Sequence, residues 1–351
     1  MSTRRAVVLG GTGGIGSAVA RELLNASGRG GDDWQVDVVA RRGGPAADDL
    51  TEAGATFVPG DRRDAAVLRE LLRPGADLLV DTVGLTRDDA LQLRPFLDDV
   101  GSTVFVSSKA VYVDEQGRHA NSAEKPVFGG AVTELQPTVA ASDGDPTSRD
   151  GYGAAKVAAE QVLLDHGAPV TVFRPSKVYG VGIGRPREWF VVRRVLDGRE
   201  RILLADHGRG VDHTTAASGI ASLVRLVADA ADRRILNVAD DTAPSVLEIV
   251  QTIAGHLDHH FDEVLLDADS PRSSVSPRGR RRRPSPSTPR PPAHSDGSRP
   301  PSRPPSGRNS TGSSRRRTPS PPTETFPGRR TCSGTGSSTT ARRTRRSPCS
   351  R

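Results

Sequence analysis

Apolar residues in the first three-quarters of the chain fall in short runs separated by mixed, amphipathic stretches. Runs at 5–9, 35–40, 56–58, 77–82, 102–107 and 170–173, with a late one at 234–238, are rich in Val, Leu and Phe and read as strands. Between them, the segments 14–26, 64–72, 87–98, 151–166, 186–197, 215–230 and 244–257 carry apolar residues at helical spacing. Strands alternating with helices argue for an α/β fold whose parallel sheet is covered on both faces. The segments 41–50 and 113–149 are rich in Gly, Pro, Asp and Ser and read as polar loops.

This pattern stops near Ser270. Residues 271–351 carry 20 Arg and no Lys against two acids, Asp296 and Glu324, a net charge of +18. With +7 for the whole chain, the first 270 residues therefore carry −11. The basic character belongs to the tail alone, and an acidic core gives no support to nucleic-acid binding by the core itself. With so few apolar residues the tail cannot offset the cost of ordering its chain, so disorder is expected. Two readings of it stand side by side. One is a basic arm that binds nucleic acid or another polyanion. The other is a product of a reading-frame change, because Arg/Pro/Ser/Gly/Thr-rich sequence is what a GC-rich gene gives out of frame.

Both cysteines, Cys332 and Cys349, lie in that tail, so a disulfide framework or cysteine-based metal site is not expected in the core. The chain opens almost at once on Ala6-Val7-Val8-Leu9, without a signal-like apolar region or a run able to span a bilayer. A cytoplasmic protein that needs no metal is the expectation.

The first candidate site is Gly10-Gly11-Thr12-Gly13-Gly14-Ile15-Gly16, which follows a strand and opens a helix. Gly10 permits a tight turn, Gly13 lets backbone approach a pyrophosphate, and Gly16 lets the helix pack closely on the strand. The helix start offers free N–H groups and a positive dipole end to phosphates. Thr12, Gly14 and Ile15 join these residues as candidate cofactor contacts. Arg41-Arg42, at the end of the second strand, could pair with a ribose 2′-phosphate, whereas Asp37 sits mid-strand and is poorly placed for a ribose hydroxyl. NADP is favoured over NAD on this ground. Asp61-Arg62 follows the third strand and joins the candidate cofactor contacts, although Asp61 could instead cap the next helix.

The second site is Tyr152-Gly153-Ala154-Ala155-Lys156. Tyr and Lys four apart share one helix face, and a nearby ammonium would lower the phenol pKa and fit Tyr152 for acid/base work on a carbonyl or alcohol oxygen. Ser108 ends an apolar strand, where parallel-sheet enzymes place active-site groups. Ser107 beside it reads as strand-end packing.

With its Gly-x-x-Gly-x-x-Gly spacing, the Ser107-Ser108-Lys109-Ala110-Val111-Tyr112 stretch and the Tyr152/Lys156 pair, the chain resembles the extended short-chain dehydrogenase/reductases, which include the NAD-dependent epimerase/dehydratases. The resemblance runs from about Arg4 to Leu257. It implies a Rossmann doubly wound sheet and a C-terminal substrate lobe, here small and ending early. In domain terms it implies an NAD(P)-binding unit at 1–175, a substrate lobe at 176–268 interleaved with the last sheet strands, and the tail at 269–351. It also implies that Ser108 bonds the reacting oxygen, that Lys156 anchors the nicotinamide ribose, and that Arg174-Pro175 lies by the nicotinamide, making Pro175 a cofactor contact. Asp61 would then reach the adenine amino group.

Two positions depart from the family. Lys177 stands where an Asn usually helps hold a nucleotide-sugar diphosphate, and Lys109-Ala110 stands where dehydratases carry an Asp-Glu pair. A ketoreductase acting on a small or sugar-like molecule is therefore favoured, with a nucleotide-sugar epimerase as the alternative. A non-catalytic NAD(P) sensor or RNA-binding relative is the reading from another class, and a homodimer is in keeping with the family. Glu134 and Asp212-His213 read mainly as structural, and Trp189 and Phe190 as a pocket wall.

Overall fold

A computed structural model describes residues 3–26 and 32–268. The expectations for the basic tail, including its nucleic-acid and reading-frame readings, lie outside the described residues. Among the described residues, no helix is long and apolar enough to cross a membrane. No group of three or more His, Cys, Asp or Glu there could hold a metal ion.

The strands β1 (Arg4–Leu9), β2 (Trp34–Ala40), β3 (Thr56–Pro59), β4 (Ala76–Asp81), β5 (Val100–Val106) and β6 (Val170–Pro175) form one parallel sheet with β10 (Arg234–Val238). Their order is β3-β2-β1-β4-β5-β6-β10, a Rossmann-like doubly wound arrangement. Side chains alternate across it. Ala6 and Val8 of β1 join a core with α1 (Gly14–Leu24) and α7 (Ala217–Asp229), while Val7 and Leu9 join the opposite core with α3 (Ala65–Leu72), α4 (Arg87–Leu93) and α5 (Arg149–Leu164). Burial on both faces is why β1, β2, β4, β5 and β6 read as apolar runs, whereas the edge strands β3 and β10 are only partly buried. The order reverses between β1 and β4, so the crevice above their C-terminal ends is the expected ligand position.

The segment 41–50 departs from the loop expectation. It contains most of α2 (Pro45–Glu52), which starts with Pro at its first turn and buries only Ala47 and Leu50. Four other strands escape the sequence pattern: β7 (Lys177–Tyr179), β8 (Arg201–Ala205), β9 (Thr214–Ala216) and β11 (Asp262–Leu266). They pair as β7 with β9 and β8 with β11, outside the main sheet. A small separate core of Val191, Ile202, Leu204, Val250, Ala254 and Phe261 joins α6 (Trp189–Leu196) and α8 (Val246–His256) to β8. The chain leaves the sheet after β6, builds part of this lobe, returns through α7 and β10, and leaves again for α8 and β11.

Candidate functional site

The glycine turn joins β1 to α1 at the switch point. Gly10 has φ +79°, a left-handed conformation that suits glycine, and a Cβ there would meet Thr82 Oγ1 at 2.5 Å. At Gly16 a Cβ would lie 2.3 Å from the Gly10 carbonyl oxygen, so helix and turn touch backbone to backbone. The neighbouring helices α3, α4, α5 and α8 start with side-chain caps from Asp64, Thr86, Ser148 and Ser245. Helix α1 starts at Gly13 with no side-chain cap and no acid in its first turn. Its first N–H groups lack intrahelical acceptors and carry the positive end of the dipole. That cradle suits a phosphate. Gly16→Ala is expected to cost roughly 1–3 kcal/mol of stability from overpacking and to weaken cofactor binding. Thermal unfolding with and without NADPH checks both, and a variant with unchanged midpoint and affinity would refute the close-packing role.

A groove of about 600 Å³ opens from this turn. It brings together Gly10, Thr12, Gly13, Arg41, Arg42 and Asp61 of the sequence-predicted contacts. Gly14, Ile15 and Gly16 do not line this groove, and Gly14 is packed so closely that a Cβ would meet Ile183 Cδ1 at 2.5 Å. The Arg41 and Arg42 side chains are exposed and have no partner among the described residues. Asp37 is buried and bound to Arg5 at 2.6 and 3.0 Å, which excludes it as a ribose ligand. Helix α3 is capped by Asp64, whose side chain accepts from Ala66 N–H, while Asp61 stays exposed at the groove with an oxygen accepting from Arg63 N–H.

Arg62 borders the groove, but its guanidinium turns inward. It donates to Asp81 at 2.7 and 2.9 Å and to the Asp89 carbonyl at 2.6 Å. The expectation of a free Arg62 contact to the cofactor is corrected accordingly: a fully buried Asp81 claims it. Asp81 also accepts N–H bonds from Val83 and Gly84, tying down the turn after β4. Burial acts to raise the Asp89 carboxyl, but bonds from Arg63 and from Leu85 and Thr86 N–H outweigh it, and its pKa falls to about 2. Pro175 is buried at the end of β6, in register with Val238, and borders neither cavity of the site.

The proposed catalytic residues gather at the end of β5. Ser108 and Tyr152 line one cavity of about 330 Å³, with the serine hydroxyl close enough to act on the phenol. Burial pushes the Tyr152 phenol above its ordinary value, with the Ser108 hydroxyl pulling the other way. Lys156 does not line this cavity. Its Nζ donates to the carbonyls of Gly84 at 2.6 Å and Val106 at 2.7 Å, and lies 4.9 Å from the Phe105 ring centre. Burial lowers its pKa to about 8, against the pull of Asp81, Glu160 and Asp89. The sequence-based expectation that Lys156 draws the Tyr152 pKa down is therefore corrected in this structure. The spacing puts both on one helix face, but the ammonium is spent on two strand-end carbonyls.

Ser107, expected to be strand-end packing, is buried and donates its hydroxyl to the buried Glu160 carboxylate. Glu134 accepts from Asn237 N–H at 2.7 Å, a structural tie. His213 bonds the Asp240 carbonyl at 2.6 Å. Asp212 holds two lysines, Lys109 and, at 3.0 Å, Lys177. Burial opposes ionisation of Asp212, but the two ammonium groups prevail and hold its carboxyl low. Sequence reasoning missed Arg185 and Arg187, which line the Ser108/Tyr152 cavity with Lys109 and Lys177. The density of cations at 174–187 was the available signal. Trp189 is half exposed, while Phe190 and Val191 border an adjoining apolar cavity of about 320 Å³ that shares Lys177, Val178 and Arg187 with the Ser108 cavity. A larger cavity of about 760 Å³ opens on another face of α5, by Gly151 and Ala154, beside the His119–Asp150 pair. Size alone does not make it the site, because the convergent polar groups and the phosphate cradle lie elsewhere.

Solved structures with the same fold include dTDP-glucose 4,6-dehydratase from Bacillus anthracis, in complex with NAD. It is 18% identical at a TM-score of 0.59, over 75% of this chain and 84% of that one. UDP-N-acetylglucosamine 4-epimerase from Methanobrevibacter ruminantium is 18% identical at 0.57, over 76% and 86%. UDP-glucuronic acid 4-epimerase from Bacillus cereus, in a complex containing NAD, is 17% identical at 0.54, over 75% and 86%. No curated protein matches the chain. Residues 6–239 match the NAD dependent epimerase/dehydratase family, and the chain belongs to that family.

Proposed function

We propose that this chain is an NAD(P)-dependent oxidoreductase acting at a carbonyl or hydroxyl of a small, sugar-like, anionic substrate, with ketone reduction as its working direction. The observation that carries this reading is the placing of Ser108 and Tyr152 side by side in the wall of one cavity. Ser108 donates to the substrate oxygen and orients it. Tyr152, protonated at neutral pH as any phenol is and with burial pushing its pKa higher still, delivers a proton to that oxygen. Lys156, one helical turn further on, donates to the Gly84 and Val106 carbonyls and would be the group that anchors a cofactor ribose. When bound, a nicotinamide cofactor would supply the hydride for the carbon bearing that oxygen. Lys109, Lys177, Arg185 and Arg187 line the cavity with no carboxylate among the lining residues, and Asp212 offsets only part of their charge. That balance supports a substrate with an acidic group. Lys109-Ala110 in place of an acid pair argues against dehydration.

The unpartnered Arg41 and Arg42 at the groove support NADP as the preferred cofactor. A charge-assisted bond contributes about 1.5–3 kcal/mol, so Arg41→Ala/Arg42→Ala is expected to weaken NADPH binding by about 10-fold or more. NADH affinity should change little. Fluorescence titration of both variants with both cofactors decides this, and equal losses for NADPH and NADH would count against it. Family membership and the epimerases among the similar structures favour a second reading, epimerisation with the hydride returned to the other face. The direct test is a substrate screen that follows cofactor oxidation and product stereochemistry together. Net cofactor consumption supports reduction, whereas inversion without consumption supports the epimerase.

A further inference from the structure

Three side chains on one face of α5, spaced four apart, reach three consecutive residues at the end of β5. Tyr152 shares a cavity wall with Ser108, Lys156 donates to the Val106 carbonyl, and Glu160 accepts from the Ser107 hydroxyl. The first two contacts belong to the machinery already described. The third does not. Glu160 and Ser107 are only 2% and 4% exposed, and the Glu160 carboxylate is also held by Arg174 of β6, whose Nε lies 3.2 Å from it. Arg174 in turn stacks over the Tyr112 ring at 4.9 Å, and the Tyr112 hydroxyl donates to Asn237 of β10 at 2.7 Å. Thus a buried ion pair links α5, β5, β6 and β10 one residue from the serine of the reacting pair.

A buried ion pair is a poor way to gain stability, since well-packed apolar residues commonly serve as well. A carboxylate does offer direction: it accepts from one hydroxyl in one place and so fixes the register of helix against strand.

We propose that Glu160 is a positioning residue, which through Ser107 sets the register of β5 against α5 and so holds Ser108 opposite Tyr152, while its charge helps keep the Lys156 ammonium in place. This rests on the reading of Ser108 and Tyr152 as the reacting pair. The charged groups around Lys156 are Asp81, Asp89, Arg62 and Glu160. Of the carboxylates among them, Glu160 is the one on its own helix.

The test uses the full chain with Glu160→Gln and, as a gentler variant, Ser107→Ala. The chain has three Tyr and four Lys, so fluorotyrosine and methyl-lysine NMR signals are few enough to assign. In Glu160→Gln the Lys156 pKa is expected to fall by about one unit or more, the Tyr152 signal to shift, and kcat to drop by about 10- to 100-fold. NADPH affinity and KM should stay within about threefold. Ser107→Ala should move the Tyr152 signal and lower kcat by several-fold while leaving the Lys156 pKa near that of the wild type. Unmoved Tyr152 and Lys156 signals in a folded Glu160→Gln protein would overturn the proposal. So would a kcat that falls only as far as the folded fraction does. These NMR readouts need no turnover. A wild type that reduces no carbonyl, or a Tyr152→Phe variant with full activity, would refute the catalytic reading separately.

Discussion

Replacing Tyr152 by Phe is expected to lower kcat for carbonyl reduction by about 10²- to 10⁴-fold, the usual contribution of a positioned proton donor. The substitution removes one oxygen and keeps the ring, so the half-buried packing of α5 against its neighbours should survive. NADPH affinity should be unchanged, because Tyr152 lines the substrate cavity and is absent from the groove at the glycine turn. The pH dependence follows from the raised phenol pKa. Reduction needs the protonated form, which persists through neutral pH and up to alkaline values. Oxidation of the alcohol needs the phenolate, so the reverse reaction should accelerate steadily as the pH rises. Turnover within a few-fold of wild type in Tyr152→Phe, in both directions, would remove Tyr152 from the mechanism.

The second large effect is at Lys156, where activity and stability should part company. Lys156→Met is expected to cost on the order of 10²-fold in turnover, because the ammonium that would orient the ribose is lost. Stability should not fall in parallel. The folded-state pKa of about 8 lies below the ordinary 10.5. Between those values the unfolded chain binds the proton and the folded chain does not, so this group makes stability rise with pH across that window. Below pH 8 it imposes a constant cost on folding, on the order of 3 kcal/mol by the size of the shift. Met removes that cost but leaves the Gly84 and Val106 carbonyls without their donor, which recovers only part of the difference. The variant should therefore compare best with wild type at neutral pH and lose ground as the pH rises toward 10.5. Thermal unfolding of both proteins at several pH values measures this directly. A wild-type advantage that is large at pH 7 and does not change with pH would contradict the buried, depressed lysine.

Sequence reading recovers the seven sheet strands most plainly where a strand is buried on two faces, as in β1, β4, β5 and β6. The edge strands β3 and β10 are only partly buried and still carry short apolar runs. Helix α2 is lost because only Ala47 and Leu50 of its eight residues need burial. The lobe strands β7 and β9 are three residues long, too short for any period to register. At the site, spacing identifies which residues share a face but not which neighbour each one reaches. Asp61 and Arg62 are adjacent, yet one faces the groove and the other is drawn inward by Asp81, a residue 19 positions away. Lys156 lies on the correct helix face and still bypasses Tyr152 for two carbonyls. Such choices depend on long-range partners that a local pattern does not contain.

The order in which the chain builds its layers has a consequence for how the protein can be altered. Strand β10 and helix α7 belong to the sheet that carries the glycine turn and to its cover, although they follow the first half of the smaller lobe in sequence. Ile220, Ala221 and Val224 of α7 share one core with Val8, Val36 and Val38. The lobe is therefore two inserted loops of a single architecture, not a cassette joined at one hinge. A graft of specificity from another enzyme would need two exchanges, at 177–213 and after 239, with the stretch between them left in place. A single cut after Pro175 would strip an edge strand and the outer cover from the very sheet that carries the glycine turn.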